Sequence, residues 1–154
     1  MSTLPDPLSD LDKHIRRFVY DAFITQSRAI LKGEIASVLS LPEKDVAASS
    51  RRLAEAHMLV LQPASGEILM ANPFSAVPTA FQVSSGSRRW WGNCIWDALG
   101  VIAMTGGEGR VETSCPDCGE ALAMTVKDNR LAEAEGIAHF AVPARRWWDD
   151  IVFS

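Results

Sequence analysis

The sequence predicts an α+β fold in which a three-helix module closed by a hairpin is followed by a small mixed or antiparallel sheet bearing one further helix. Three observations predict it. Apolar residues recur at helical spacing as far as Met58, and two short apolar runs then face each other across a turn. The remainder alternates strand-sized runs with Gly and Pro punctuation, interrupted by one helical stretch that opens at a cysteine.

Residues 1–10 contain two prolines and read as a loose leader. Leu11, Ile15, Phe18, Val19, Ala22 and Phe23 then form one apolar stripe, so a first helix is expected to end near Gln26 or Ser27. A second helix fits residues 32–39. A third should open at Pro42, because proline suits a first turn and Glu43 and Asp45 complement the positive end of the helix. Val46, Ser50, Leu53 and His57 would share its inward face. The runs Leu59-Val60-Leu61 and Ile68-Leu69-Met70 flank Gln-Pro-Ala-Ser-Gly-Glu, a hairpin signal. Three helices and a hairpin make residues 1–71 winged-helix-like, a form that often binds DNA.

Residues 72–92 read as a connection ending in a short strand, which places a module boundary at 71/72 and a second module over residues 72–154. Asn93 is expected to cap a helix from Cys94 to Met104, stopped by Thr-Gly-Gly-Glu-Gly. Strands are expected at 110–113 and 121–127, bracketing Cys-Pro-Asp-Cys-Gly, with a last strand at 137–142. No internal repeat or low-complexity segment is apparent.

Composition narrows the function classes. Apolar residues make up 47% and charged residues 22%, a globular balance, and no apolar run approaches the roughly 20 residues of a membrane span. The start has no secretory signal pattern, so a cytoplasmic location is the expectation. The net charge is -4, and residues 1–83 carry 8 basic and 9 acidic side chains. Neither half has the positive footprint of a strong nucleic-acid binder. Lys44, Arg51 and Arg52 could touch phosphates, but Glu43, Asp45 and Glu55 on the same helix oppose them, so nucleic acid is not an expected partner.

Three cysteines without an export signal favour reduced thiols over a disulfide framework. Cys94 and Asp97 stand three apart at a helix start, so both side chains can meet one ligand, and the helix N-terminus should favour a thiolate at Cys94. The plain alternative is an inert buried cysteine with a capping carboxylate. Cys115 and Cys118 have the spacing of one zinc knuckle, with Cys94 and His139 as the available completers; a tight turn with two free thiols is equally consistent. Zinc or copper there stays open. The five tryptophans, at 90, 91, 96, 147 and 148, suit an aromatic pocket, although core packing is the expected role of three or more. Arg145, Arg146, Asp149 and Asp150 read as solvated or mutually paired charges.

Four ordered segments carry a resemblance. Arg-Arg-Trp-Trp-Gly-Asn-Cys94-Ile-Trp-Asp97-Ala-Leu-Gly resembles the Cys-x-x-Asp active-site segment of alkylmercury lyases. Asn-Pro-Phe-Ser-Ala-Val-Pro-Thr-Ala-Phe, the strand leading to Cys115, and His-Phe-Ala-Val-Pro-Ala-Arg-Arg-Trp-Trp-Asp-Asp are similar to further segments of that family, as is the helical N-terminal part. The resemblance implies protonolysis of a carbon–mercury bond, releasing a hydrocarbon and Hg(II) with no organic cofactor. It implies that Cys94 binds mercury and that Asp97 takes a thiol proton and delivers it to carbon. Cys115 matches a family cysteine with a structural role, and Cys118 belongs to a Cys-x-x-Cys variant of that turn. In the family a second catalytic cysteine follows the segment that here reads Asp-Asp-Ile-Val-Phe-Ser154, so the second module is expected to be C-terminally incomplete. The expected partner is an organomercurial small molecule; the sequence does not fix an oligomeric state. A thiol-based metal-binding or metal-sensing protein and a winged-helix DNA-binding regulator remain the competing readings.

Overall fold

The computed structural model describes residues 8–133 and 136–152. The fold is α+β. Helix α1 (Asp10–Gln26) opens on a reciprocal cap in which Ser9 Oγ accepts from Asp12 N–H and the Asp12 carboxylate accepts from Ser9 N–H, satisfying two otherwise orphan donors. Its stripe buries Ile15, Val19, Ala22 and Phe23, as the spacing predicts. Helix α2 (Lys32–Leu39) follows with the expected bounds, and α3 (Glu43–Glu55) opens directly after Pro42, which is its N-cap. Val46, Ser50 and Leu53 are buried on α3. His57 is not: the helix ends at Glu55, His57 turns into the left-handed region at φ 58°, and its exposed ring stacks on Trp148.

Helices α1 and α3 are tied by an ion pair that is buried at its acid end. Asp12, 1% exposed, accepts from Arg52 at 2.7 and 3.0 Å and from Ser49 Oγ at 2.6 Å. Its carboxyl is held well below the ordinary range, chiefly by Arg52, with Ser49 and Ser9 assisting against the cost of burial.

Strands β1 (Val60–Leu61) and β2 (Ile68–Ala71) form the expected hairpin. The region expected as a connection is more regular than its composition suggests. It contains β3 (Phe74–Ser75), β4 (Phe81–Ser85) and β5 (Arg88–Gly92), and β4 pairs with β5 across all five positions. Helix α4 (Ile95–Met104), β6 (Gly109–Ser114), β7 (Ala121–Lys127) and β8 (Arg130–Glu133) complete the sheet. Its antiparallel order is β1-β2-β3-β5-β4-β6-β7-β8, and it runs unbroken across positions 71 and 72. The strand expected at 137–142 does not form. That stretch is irregular and leads into a short 3-10 helix at Ala144–Asp149. Of the loose leader, residues 1–7 lie outside the described residues.

One apolar core spans helices and sheet. Phe23 of α1 stacks on Phe74 of β3 at 5.2 Å, and Trp90 Nε1 of β5 donates to Phe23 O at 2.7 Å. Helix α4 packs on β4, β5 and β6 through Ala98, Val101 and Ile102, all fully buried. Among the described residues no helix is long and apolar enough to cross a membrane.

Candidate active site around Cys94 and Asp97

A missing side chain sets the site's position. Gly92 ends β5 so close to the first turn of α4 that a Cβ there would lie 2.6 Å from Ala98 N. Only glycine permits this approach, and the two residues that follow it turn the chain into the helix. Cys94, rather than the expected Asn93, is the N-cap: its backbone is extended, and its Sγ accepts from Asp97 N–H at 3.5 Å. The helix therefore starts one residue later than expected.

Cys94 and Asp97 line one cavity of about 660 Å³. Its near wall comes from Asn72, Phe81 and the first turn of α4; its far wall is the irregular stretch with His139, Phe140 and Val142, together with Trp147 and Trp148. Trp147 Nε1 donates to Val142 O at 2.9 Å and its ring packs on Phe140, which gives the far wall an internal brace. The ring stack between His57 and Trp148, at 4.1 Å, ties that wall to the end of α3. Of the tryptophans only Trp90 is buried in the core. Trp96 is 67% exposed, and Trp96, Trp147 and Trp148 serve the cavity, more than core packing alone predicts.

Burial dominates the titration of both candidate groups. It pushes the Cys94 thiol up, and the Asp97 carboxylate adds to this, while N–H donors from Asp97 and Trp96 pull the other way. The thiolate expected from a helix N-terminus is thus outweighed by desolvation. Burial also raises Asp97, against hydrogen bonds from Asn93 and Cys94. A carboxyl with that tendency retains its proton longer than one in water.

Sequence reasoning missed the polar shell behind this pair. Tyr20 Oη donates to Asn72 O at 2.7 Å, and Asn93 Nδ2 donates to Asn72 Oδ1 at 3.2 Å. Asn93 Oδ1 is buried and meets no donor among the described residues. Tyr20 is raised by burial, and the charge of Asp97 contributes. Asn72 and Tyr20 lie far from Cys94 in sequence, so no local motif could have linked them.

Cys115 and Cys118 occupy the turn between β6 and β7, and Pro116 between them reaches the cavity wall. All three cysteines are free. Neither Cys94 nor His139 completes a ligand set with this turn: among the described residues no group of three or more His, Cys, Asp or Glu side chains could hold a metal ion. Arg146 pairs with Asp149 at 2.9 Å, in line with mutually paired charges near the chain end.

Among solved structures, the crystal structure of the mercury-bound form of MerB2 matches with a TM-score of 0.65 and 23% identity, a likeness of fold. The match covers 82% of this chain and 61% of that one, so this chain spans about three-fifths of its neighbour's length. No curated protein matches. The family model for MerB, alkylmercury lyase, matches residues 74–153, just over half of the sequence, a range that includes Cys94 and Asp97. The chain belongs to the alkylmercury lyase family.

Proposed function

We propose that this chain binds organomercurials through Cys94 and that Asp97 delivers the proton that cleaves the carbon–mercury bond. One observation carries the reading: a soft sulfur and a carboxyl inclined to hold its proton line the same aromatic-walled cavity, one helical turn apart. Cys94 sulfur bonds to mercury as its own proton passes to Asp97 and the former mercury ligand departs. Asp97 then returns the proton to carbon, the carbon–mercury bond breaks, the hydrocarbon leaves, and Hg(II) stays on sulfur. The apolar wall around the carboxyl supports this order, since a desolvated acid transfers its proton more readily to a developing carbanion than a hydrated carboxylate could.

Among the described residues Cys94 is the cysteine that lines the cavity, and one thiolate pushes less electron density through mercury onto carbon than two, so binding is expected to outrun cleavage unless another thiol reaches the metal. Residues 1–71 serve, on this reading, as a winged-helix-like structural module. The Arg52 guanidinium, one of three cations available to a phosphate backbone, is committed to Asp12, which supports a structural role over DNA binding.

The test is hydrocarbon release from a simple organomercurial, followed beside mercury binding. Cys94→Ser is expected to lose mercury from the cavity. Asp97→Asn is expected to keep it while slowing release by about 100-fold or more, the usual weight of a general acid. Undiminished release in Asp97→Asn would remove the carboxyl from the mechanism.

A further inference from the structure

The turn between β6 and β7 holds two cysteines that this mechanism does not use. Its backbone is closed without help from any ion: Cys115 N–H donates to Glu120 O at 2.8 Å, Gly119 N–H donates to Cys115 O at 2.9 Å, and Gly119 takes the left-handed conformation at φ 74° that closes the turn. This frame sets the two thiols three residues apart on one closed turn. Cys118 is exposed and Cys115 half-buried, so an ion can approach from solvent.

What the turn lacks identifies the ion it suits. Zinc in a structural site takes four ligands in a tetrahedron, and no third His, Cys, Asp or Glu joins these two among the described residues. Soft ions content with two sulfur ligands have no such requirement, and thiolates select them. We propose that Cys115 and Cys118 form a second soft-metal site, a two-thiolate clip for Hg(II) and ions of like character such as Cu(I). Binding releases the thiol protons to solvent as two sulfur–metal bonds form, with no change of oxidation state. Pro116 is part of the cavity wall, which stands this clip beside the space that Cys94 lines.

The clip does not depend on carbon–mercury cleavage, and its test removes Cys94 altogether. Reduced Cys94→Ser protein is loaded with mercuric chloride, washed with excess monothiol and weighed by native mass spectrometry. It should retain about one Hg(II) per chain, because two thiols on one turn outcompete separate monothiols through effective concentration. Adding Cys118→Ser, at an exposed position where circular dichroism should show an unchanged fold, is expected to reduce retention at least tenfold. Zinc chloride in the same protocol should leave no bound ion. Loss of mercury from Cys94→Ser itself, equal retention after Cys118→Ser, or stoichiometric zinc would each overturn the assignment.

Discussion

Asp12 and Asp97 are both withdrawn from solvent in the first turn of a helix, yet their surroundings drive them in opposite directions. In the helical module, Asp12 meets Arg52, Ser49 and Ser9, and its carboxylate is stabilised far beyond what burial takes away. In the cavity, Asp97 meets an amide and a thiol but no cation, and burial prevails. The contrast teaches that burial alone does not assign a role. Partners decide whether a carboxylate becomes a permanent charge that locks helices or an acid that can give up a proton.

The largest expected difference between the two is in chemistry. Arg52→Ala should leave single-turnover hydrocarbon release within about twofold of the parent protein, against the hundredfold or greater loss expected of Asp97→Asn. An equal loss in both would show that the helical lock acts on the cavity and would break the comparison.

Stability should separate them with opposite signs. Arg52→Ala strands a buried carboxylate and is expected to lower the thermal midpoint by several degrees. Asp97→Asn removes a group that prefers to be neutral and should leave the midpoint unchanged or raise it. The pH dependence follows from the same shifts. Asp12 has a folded value below its ordinary 3.8, so its contribution is present above that value and fades as pH falls toward the folded one. Asp97 is raised, so its contribution is present below 3.8 and is lost as pH climbs through the folded value. Denaturant titrations from pH 3 to 7 should therefore show an acid-side decline that Asp12→Asn flattens. The advantage of Asp97→Asn over the parent should instead appear toward neutral pH.

A smaller effect sharpens the cavity side. Burial is the main cause that raises the Cys94 thiol and the charge of Asp97 adds to it, so Asp97→Asn, which keeps the backbone N–H donor, should shift the pH at which iodoacetamide alkylates Cys94 downward. A shift in the other direction would mean that the Asp97 contact stabilises the thiolate. The smallest expected change belongs to Asn93→Ala. Asn93 opposes the rise of Asp97, so its loss should move the carboxyl titration, read by carbon-13 resonance, further upward.

How much of this was legible in the sequence differs between the same two regions. Helices α1 to α3 were readable because Ile15, Val19, Phe23, Val46 and Leu53 obey a period that solvent exclusion imposes locally. His57 was misplaced because a helix end depends on left-handed backbone geometry, which apolar spacing does not encode. The Cys94–Asp97 pair was visible from its i, i+3 spacing. Its electrostatics were not, because the walls that desolvate it come from Phe81 and from Phe140 to Trp148, distant segments brought together only by the fold. The strand expected at 137–142 had the right residue types but joins no strand of the sheet; β8 takes the place beside β7.

The unbroken sheet has a consequence for how the molecule comes apart. Met70 pairs with Ser75 and Ala71 with Phe74, so the hydrogen-bond ladder continues through the point where sequence reading places a boundary. Helix α1 is stapled to the far side of that point through Phe23 and Phe74. Neither half can lose its order without stripping partners from the other, and this is the condition for cooperative, all-or-none melting. Calorimetric and van't Hoff enthalpies should therefore agree, and amide exchange in α1 and β5 should report one shared opening energy. In this protein the three N-terminal helices and the cavity around Cys94 should persist, and fail, as a single thermodynamic unit.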